Sequence, residues 1–215
     1  MPGLWTTEVE LRQRGFVHIA GVDEAGCGPI AGPVVAAAVV FAGRHRLPGL
    51  ADSKLTSQAD RERLFALIQQ KAVSVGVGIV DARSVDRLNI LAAARRAMIE
   101  AIERLDPRPD LLLVDGRGVP GAAMPQRAIV KGDRSCACIA AASIVAKVTR
   151  DRLMVELDVR YPGYGFSRHK GYGTREHLER LAELGPCPEH RLSFAPVRDV
   201  RQVRLLLERG DGHAP

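Results

Sequence analysis

A chain of 215 residues, 46% of them hydrophobic, is long enough for one domain with a real core, which excludes global disorder. The net charge of +6 is compatible with a polyanionic partner, although 26 of the 31 basic residues are arginines, a bias that genome composition alone can produce. No apolar run approaches the roughly 18 residues that span a bilayer, no secretory signal fits the N-terminus, and four scattered cysteines suit neither a disulfide framework nor a zinc site. A cytoplasmic protein with reduced thiols and no membrane partner is expected.

In chain order, 16-FVHIAGVDEAG-26 is an apolar run ending in two acids and a glycine turn. The Gly/Pro-rich 26-GCGPIAGP-33 leads into 34-VVAAAVVF-41, apolar on both faces and so predicted to be a buried strand. Ser57 is placed to cap a helix over 58–70, and 72-AVSVGVGIV-80 alternates as a third strand. Ser84 is expected to cap a longer helix over 85–105, with Leu88, Leu91, Ala94, Met98, Ile99 and Ile102 facing inward and Pro107 and Pro109 ending it. Two short strands follow, 110-DLLLVDG-116 and 128-AIVKGD-133, each stopping on an acid. The stretch 136–160 reads as an Ala-rich helix, 161–174 as a Gly/Tyr loop, and 174–184 and 196–208 as two further helices before a frayed tail. Strands alternating with helices predict an α/β sheet covered on both faces, with a catalytic core over 1–160 and a helical region over 161–215 in the same domain.

The informative pattern is where the acids fall. Three apolar strands finish in V-D-E, L-V-D-G and K-G-D, which collects Asp23, Glu24, Asp115 and Asp133 at strand ends, where open α/β sheets gather functional groups. One such aspartate is commonly a turn residue; several together would repel one another unless cations neutralise them. Hard divalent ions prefer oxygen ligands of this kind, and two of them about 3.5–4 Å apart would suit phosphodiester hydrolysis. Asp23 is the expected central ligand. Neighbouring side chains on a strand point to opposite faces, so Glu24 can join the same site only if the strand stops there. The turn 26-GCGPIAGP-33 lacks the Gly-Lys-Ser/Thr of a phosphate-binding loop and runs into a strand, unlike a dinucleotide fingerprint.

These residues lie in segments that resemble ribonuclease HII, the type 2 ribonuclease H of bacteria: 21-GVDEAGCGPIAGPVVAAAV-39, 52-DSK-54, 112-LLVDG-116, 130-VKGD-133, 139-IAAASIVAKVTRD-151, 164-YGFSRHKGYGT-174 and 190-HRLSF-194 with Pro196. The resemblance implies the ribonuclease H-like fold, a five-stranded mixed sheet flanked by helices with a C-terminal helical region. It implies that Asp23, Glu24, Asp115 and Asp133 bind Mg²⁺ or Mn²⁺, two ions with substrate present. The implied activity is endonucleolytic hydrolysis of the RNA strand of RNA–DNA hybrids. It extends to cutting 5′ of ribonucleotides embedded in duplex DNA, leaving 3′-hydroxyl and 5′-phosphate ends, as in ribonucleotide excision repair and DNA replication.

Gly26, Cys27 and Gly28 correspond to the turn that senses the 2′-hydroxyl, and Tyr172 to the junction-sensing tyrosine. Lys54, Ser143 and Lys147 are candidate phosphate contacts, the last two sharing a helix face four residues apart. His169, His177 and His190 are read as structural or solvent-facing. The family turn is usually Gly-Arg-Gly; Cys27 keeps its backbone and removes an Arg side chain, so weaker substrate binding with intact recognition is expected. A type 1 ribonuclease H, a resolvase-like nuclease of the same fold, or a hybrid-binding protein without catalysis are the competing readings. Nothing in the sequence calls for more than a monomer.

Overall fold

The computed structural model describes residues 3–50 and 57–210. Five strands, β1 Ile19–Ala25, β2 Val34–Val40, β3 Ser74–Val80, β4 Leu111–Asp115 and β5 Gln126–Ile129, form one sheet in the order β3-β2-β1-β4-β5. β1 is antiparallel to β2, with Asp23 opposite Ala37, and parallel to β4, which is parallel to β5. This is the mixed five-stranded sheet expected. Every residue of β2 is buried, as an apolar run without alternation requires. The helices are α1 Thr6–Gln13, α2 Gln58–Lys71, α3 Ala82–Leu88, α4 Ile90–Glu103, α5 Ala137–Arg160, α6 Phe166–His169, α7 Arg175–Leu184 and α8 Ala195–Gly210. Among the described residues no helix is long and apolar enough to cross a membrane, and all four cysteines are free thiols.

The chain divides into two compact units. The first, Met1–Ala25, Val35–Ile79 and Ala94–Thr149, has its core between the sheet and the start of α5, built from Ile19, Val39, Leu64, Ile68, Leu113, Ile139 and Val145. Here α5 lies directly on β1. A Cβ on Gly21 would sit 2.1 Å from the Cys138 carbonyl carbon, a distance no side chain could occupy. The beginning of α5 is held by α1: the Cys138 amide donates to Glu8 Oε1 at 2.9 Å and the Ala137 amide to the Leu4 carbonyl at 2.9 Å. Two of the amides that a helix start leaves without a partner are thus satisfied by a segment more than a hundred residues away.

The second unit, Gly26–Val34, Val80–Ala93 and Arg150–Pro215, has two smaller apolar clusters, one around Met154, Tyr164 and Phe166 and one around Ile30, Leu181 and Val197. Within it the Asp86 carboxylate accepts the Leu192 and Ser193 amides at 2.9 and 2.8 Å.

Four local expectations are corrected. The helix expected over 85–105 is two helices, because Asn89 takes φ 69° and its side chain accepts the Leu91 and Ala92 amides at the start of α4. Asp81, not Ser84, caps α3, its Oδ1 accepting the Ser84 amide at 2.6 Å. Leu91, expected inside, is 66% exposed. Finally, β5 is largely exposed and stops at Ile129, after which Lys131 turns through φ 57° into a 3-10 turn, Gly132–Arg134, that carries Asp133. The N-terminal α1 is an element that the hydrophobic pattern does not announce.

Candidate active site

In the first unit the site grows out of the contact of α5 with β1. Asp23 stands two residues beyond Gly21, about 6.6 Å along the strand, and Ser143 five residues beyond Cys138, about 7.5 Å along the helix. The matched rises bring the Ser143 side chain into a hydrogen bond with Asp23. Asp23 is buried, and its Oδ1 accepts the Glu24 amide at 2.8 Å. Burial, then the charge of Glu24, then that of Asp115 push the Asp23 carboxyl up to about 8, against the pull of Ser143 and the Glu24 amide. β1 does not stop at the acid pair but continues to Ala25, and Glu24 is half-buried.

Asp115 closes β4, and its Oδ1 accepts the Gly132 amide at 2.6 Å. That bond ties the end of β4 to the turn holding Asp133, itself buried. Of the four acids, Glu24 and Asp115 both act electrostatically on Asp23, and Asp133 follows the residue that Asp115 anchors. Among the described residues, no three His, Cys, Asp or Glu side chains converge closely enough to hold an ion by themselves. The donor set nevertheless fits a divalent cation. It is made of hard carboxylate oxygens, and burial and the neighbouring acids hold the central one above the ordinary range. Lys147 is half-buried on α5, one turn beyond Ser143. Lys54 lies outside the described residues.

In the second unit, the turn from Gly26 to Pro33 is organised by two buried arginines. Arg191 donates to the carbonyls of Gly26, Pro29 and Gly32 at 2.7, 2.7 and 2.9 Å and to that of Cys27 at 3.3 Å. Arg150 donates to Pro33 and Ala31 in the turn and to the carbonyl of Lys170 at 2.9 Å. Burial lowers both guanidiniums, Arg191 to about 10. Gly26 adopts φ 93°, and a Cβ there would meet Arg150 Nε at 2.1 Å, so the turn requires glycine for both reasons. In a trans peptide, C=O and N–H point opposite ways. With the Gly26 and Cys27 carbonyls aimed at Arg191, the amides of Cys27 and Gly28 are aimed away from it.

Tyr172 is 48% exposed, and a Cβ on Gly28 would lie 3.6 Å from its ring, so the glycine turn and the tyrosine are neighbours in this unit. His177 and His190 are buried, which agrees with a structural reading of them. Sequence reasoning missed Arg150 and Arg191. Both fall inside quoted segments, but a buried arginine whose partners are main-chain carbonyls leaves no acidic counterpart to find.

A sequence model of the family described as Ribonuclease HII matches residues 20–197. The chain is 55% identical to "Ribonuclease HII" of Geobacter metallireducens, over 91% of this chain and 92% of that one. Among solved structures it is similar to ribonuclease H2 from Pyrococcus horikoshii OT3, with a TM-score of 0.71 and 26% identity over 86% of this chain and 98% of the other. It is similar also to the structure of the PCNA:RNase HII complex from Archaeoglobus fulgidus, with a TM-score of 0.71 and 30% identity over 83% and 95%. On the family match, the identity to its members and the shared fold, the chain belongs to the ribonuclease HII family and is an endonuclease acting on RNA–DNA hybrids.

Proposed function

We propose that the chain cuts on the 5′ side of a ribonucleotide, in hybrids and in duplex DNA carrying single ribonucleotides, leaving a 3′-hydroxyl and a 5′-phosphate. Asp23, Glu24, Asp115 and Asp133 hold the divalent ions, Mg²⁺ or Mn²⁺, in this reading. The observation that carries it is Asp23: a buried carboxyl pushed up to about 8 by burial and by two neighbouring acids, at the end of a sheet in a ribonuclease HII chain. Such a group is costly to keep unless a cation relieves it.

Two bound ions would supply activation of the attacking water and charge stabilisation at the leaving 3′-oxygen. The residues supply the rest. Asp23 would hold an ion in its ionised form, which the Ser143 hydrogen bond favours. Asp115 is held in one orientation by the Gly132 amide, so its other oxygen is presented in a fixed direction. The amides of Cys27 and Gly28, aimed away from Arg191, suit donation to a 2′-hydroxyl oxygen, and Tyr172 suits stacking on the sugar of the junction. Ser143 and Lys147 would meet the backbone phosphate.

The test is Asp115→Asn. Cleavage of a hybrid should fall by about a thousandfold or more while hybrid binding persists, as expected when an electrostatic participant in the transition state is removed. Unchanged turnover would remove Asp115 from the metal assignment.

A further inference from the structure

Behind the loop that carries Tyr172 stand three histidines whose ring nitrogens all have partners. Main-chain amides can donate and cannot accept, so they fix where the ring protons are. The Cys187 amide donates to His190 Nδ1 at 3.0 Å, so that nitrogen is bare, and a neutral His190 carries its proton on Nε2. His190 Nε2 faces His177 Nε2 at 3.1 Å, so it donates and His177 Nε2 accepts. His177 therefore carries its proton on Nδ1 and donates it to the main-chain carbonyl of Tyr172 at 2.8 Å. The third ring obeys the same logic: the Gly171 amide donates to His169 Nδ1 at 3.2 Å, leaving Nε2–H to donate to the Tyr164 carbonyl at 2.9 Å.

We infer that His177 and His190 are positioning residues for ribonucleotide recognition, forming a neutral, one-directional hydrogen-bond relay that fixes the Tyr172 carbonyl and through it the tyrosine ring. The inference rests on the reading of Tyr172 as the junction-sensing residue.

The relay accepts no additional proton. A charged His177 would present Nε2–H to the Nε2–H of His190, and His190 cannot turn round because its other nitrogen faces an amide donor. The surroundings agree. His177 stacks on His169 at 4.2 Å between ring centroids and packs edge-on against Phe166, while His190 lies against Tyr164, Phe166 and the Cys187 thiol, whose sulfur is 3.2 Å from Nδ1. The acid acting on His177 is Glu176, which is exposed and paired with Arg168. Burial outweighs it and holds His177 down at about 4, and burial with His177 beside it holds His190 at about 3.

The same loop is anchored from its other side. Arg150 holds the Lys170 carbonyl, and the Ile30 amide donates to the Gly171 carbonyl at 2.9 Å. Tyr172 thus rests on a main chain fixed at three successive carbonyls, and its own accepts both the His177 Nδ1–H and the Thr174 amide, each at 2.8 Å.

The relay is tested first in the unaltered protein, by ¹⁵N NMR of labelled histidine at neutral pH. His177 should be the Nδ1–H tautomer and His190 the Nε2–H tautomer; a charged ring or either opposite tautomer overturns the proposal. The second test uses DNA duplex carrying one ribonucleotide and the variants His177→Phe, His177→Asn and Tyr172→Ala. Phenylalanine fills the site without a donor, whereas asparagine places an N–H where Nδ1 stood. His177→Phe should raise KM roughly tenfold with kcat nearly unchanged, His177→Asn should restore most of that loss, and the Phe/Ala double variant should be no worse than Tyr172→Ala alone. Additive losses, or an asparagine variant as impaired as the phenylalanine one, overturn the relay. Tyr172→Ala without effect on ribonucleotide selectivity overturns the underlying reading of Tyr172 instead. Should His177→Phe not fold, the NMR measurement and the asparagine variant decide.

Discussion

Asp23 carries a measurable structural cost. Its folded-state carboxyl sits at about 8, above its ordinary value of 3.8, so between those limits the folded chain binds a proton that the unfolded chain has released. Its burial therefore costs stability, fully so above pH 8 and not at all well below 4. Asp23→Asn should raise the stability of the metal-free protein by ~2–4 kcal/mol at pH 8 and leave it unchanged near pH 4, measured by thermal melting across that range. It should also remove cleavage and the stabilisation gained on adding Mg²⁺. Arg191 presents a different case, a residue that holds the Gly26–Pro33 turn while lying entirely out of solvent. Arg191→Lys keeps the charge but cannot reach four carbonyls with one ammonium. We expect a loss of about 2–4 kcal/mol in melting and reduced selectivity for ribonucleotides in cleavage assays. At Cys27, a change to Arg should tighten hybrid binding and leave the cut position unmoved, because the turn acts through its backbone; a binding titration and a mapped cut test both halves.

At the scale of the element, the seating of α5 on β1 decides the site. Gly21 admits the Cys138 backbone, and that approach sets the depth at which Ser143 meets Asp23. Gly21→Ala would force the helix off the strand, with an expected loss of about 3 kcal/mol or more and lower kcat, read by melting and by turnover at saturating substrate. Much of the sheet was legible because it rests on local pattern: the unbroken apolar run of β2, the V-D-E and L-V-D-G segments and the Ala-rich α5 each carry their own signal. What the pattern missed depends on distant partners or on one backbone torsion. α1 matters through Glu8 and Leu4, which hold amides of α5, and no short-range periodicity encodes that. Asn89 divides a continuous apolar stripe because its side chain can cap α4 while its backbone takes a left-handed φ, a choice that competes with helix on nearly equal terms. Asp133 lies in a 3-10 turn and not in the strand that the pattern suggests, since Lys131 turns the chain out of β5 two residues earlier. Asp23, Glu24 and Asp115 lie in the strands that their apolar runs announce. The arginines and histidines that brace the turn and Tyr172 are announced by no such pattern, because their partners are backbone atoms.

Over the whole molecule, a net charge of +6 and a polyanionic substrate make hybrid binding salt-dependent. Stability has an acid-side limit set by His177 and His190. Their folded values of about 4 and 3 lie below the ordinary 6.5, so the unfolded chain binds more protons below about pH 6.5 and stability falls as pH falls towards 4. Asp23 acts in the opposite sense throughout that range, so the histidine effect is seen most cleanly in the Asp23→Asn variant, as a loss of ~2–4 kcal/mol between pH 6.5 and 4. Cleavage on the 5′ side of a ribonucleotide is tested by mapping the cut in a DNA duplex containing a single ribonucleotide, with Mg²⁺ and with Mn²⁺. One cut is expected, on the 5′ side of that ribonucleotide, leaving a 3′-hydroxyl and a 5′-phosphate. A duplex left intact while a long hybrid is degraded, or a cut on the 3′ side, would contradict it.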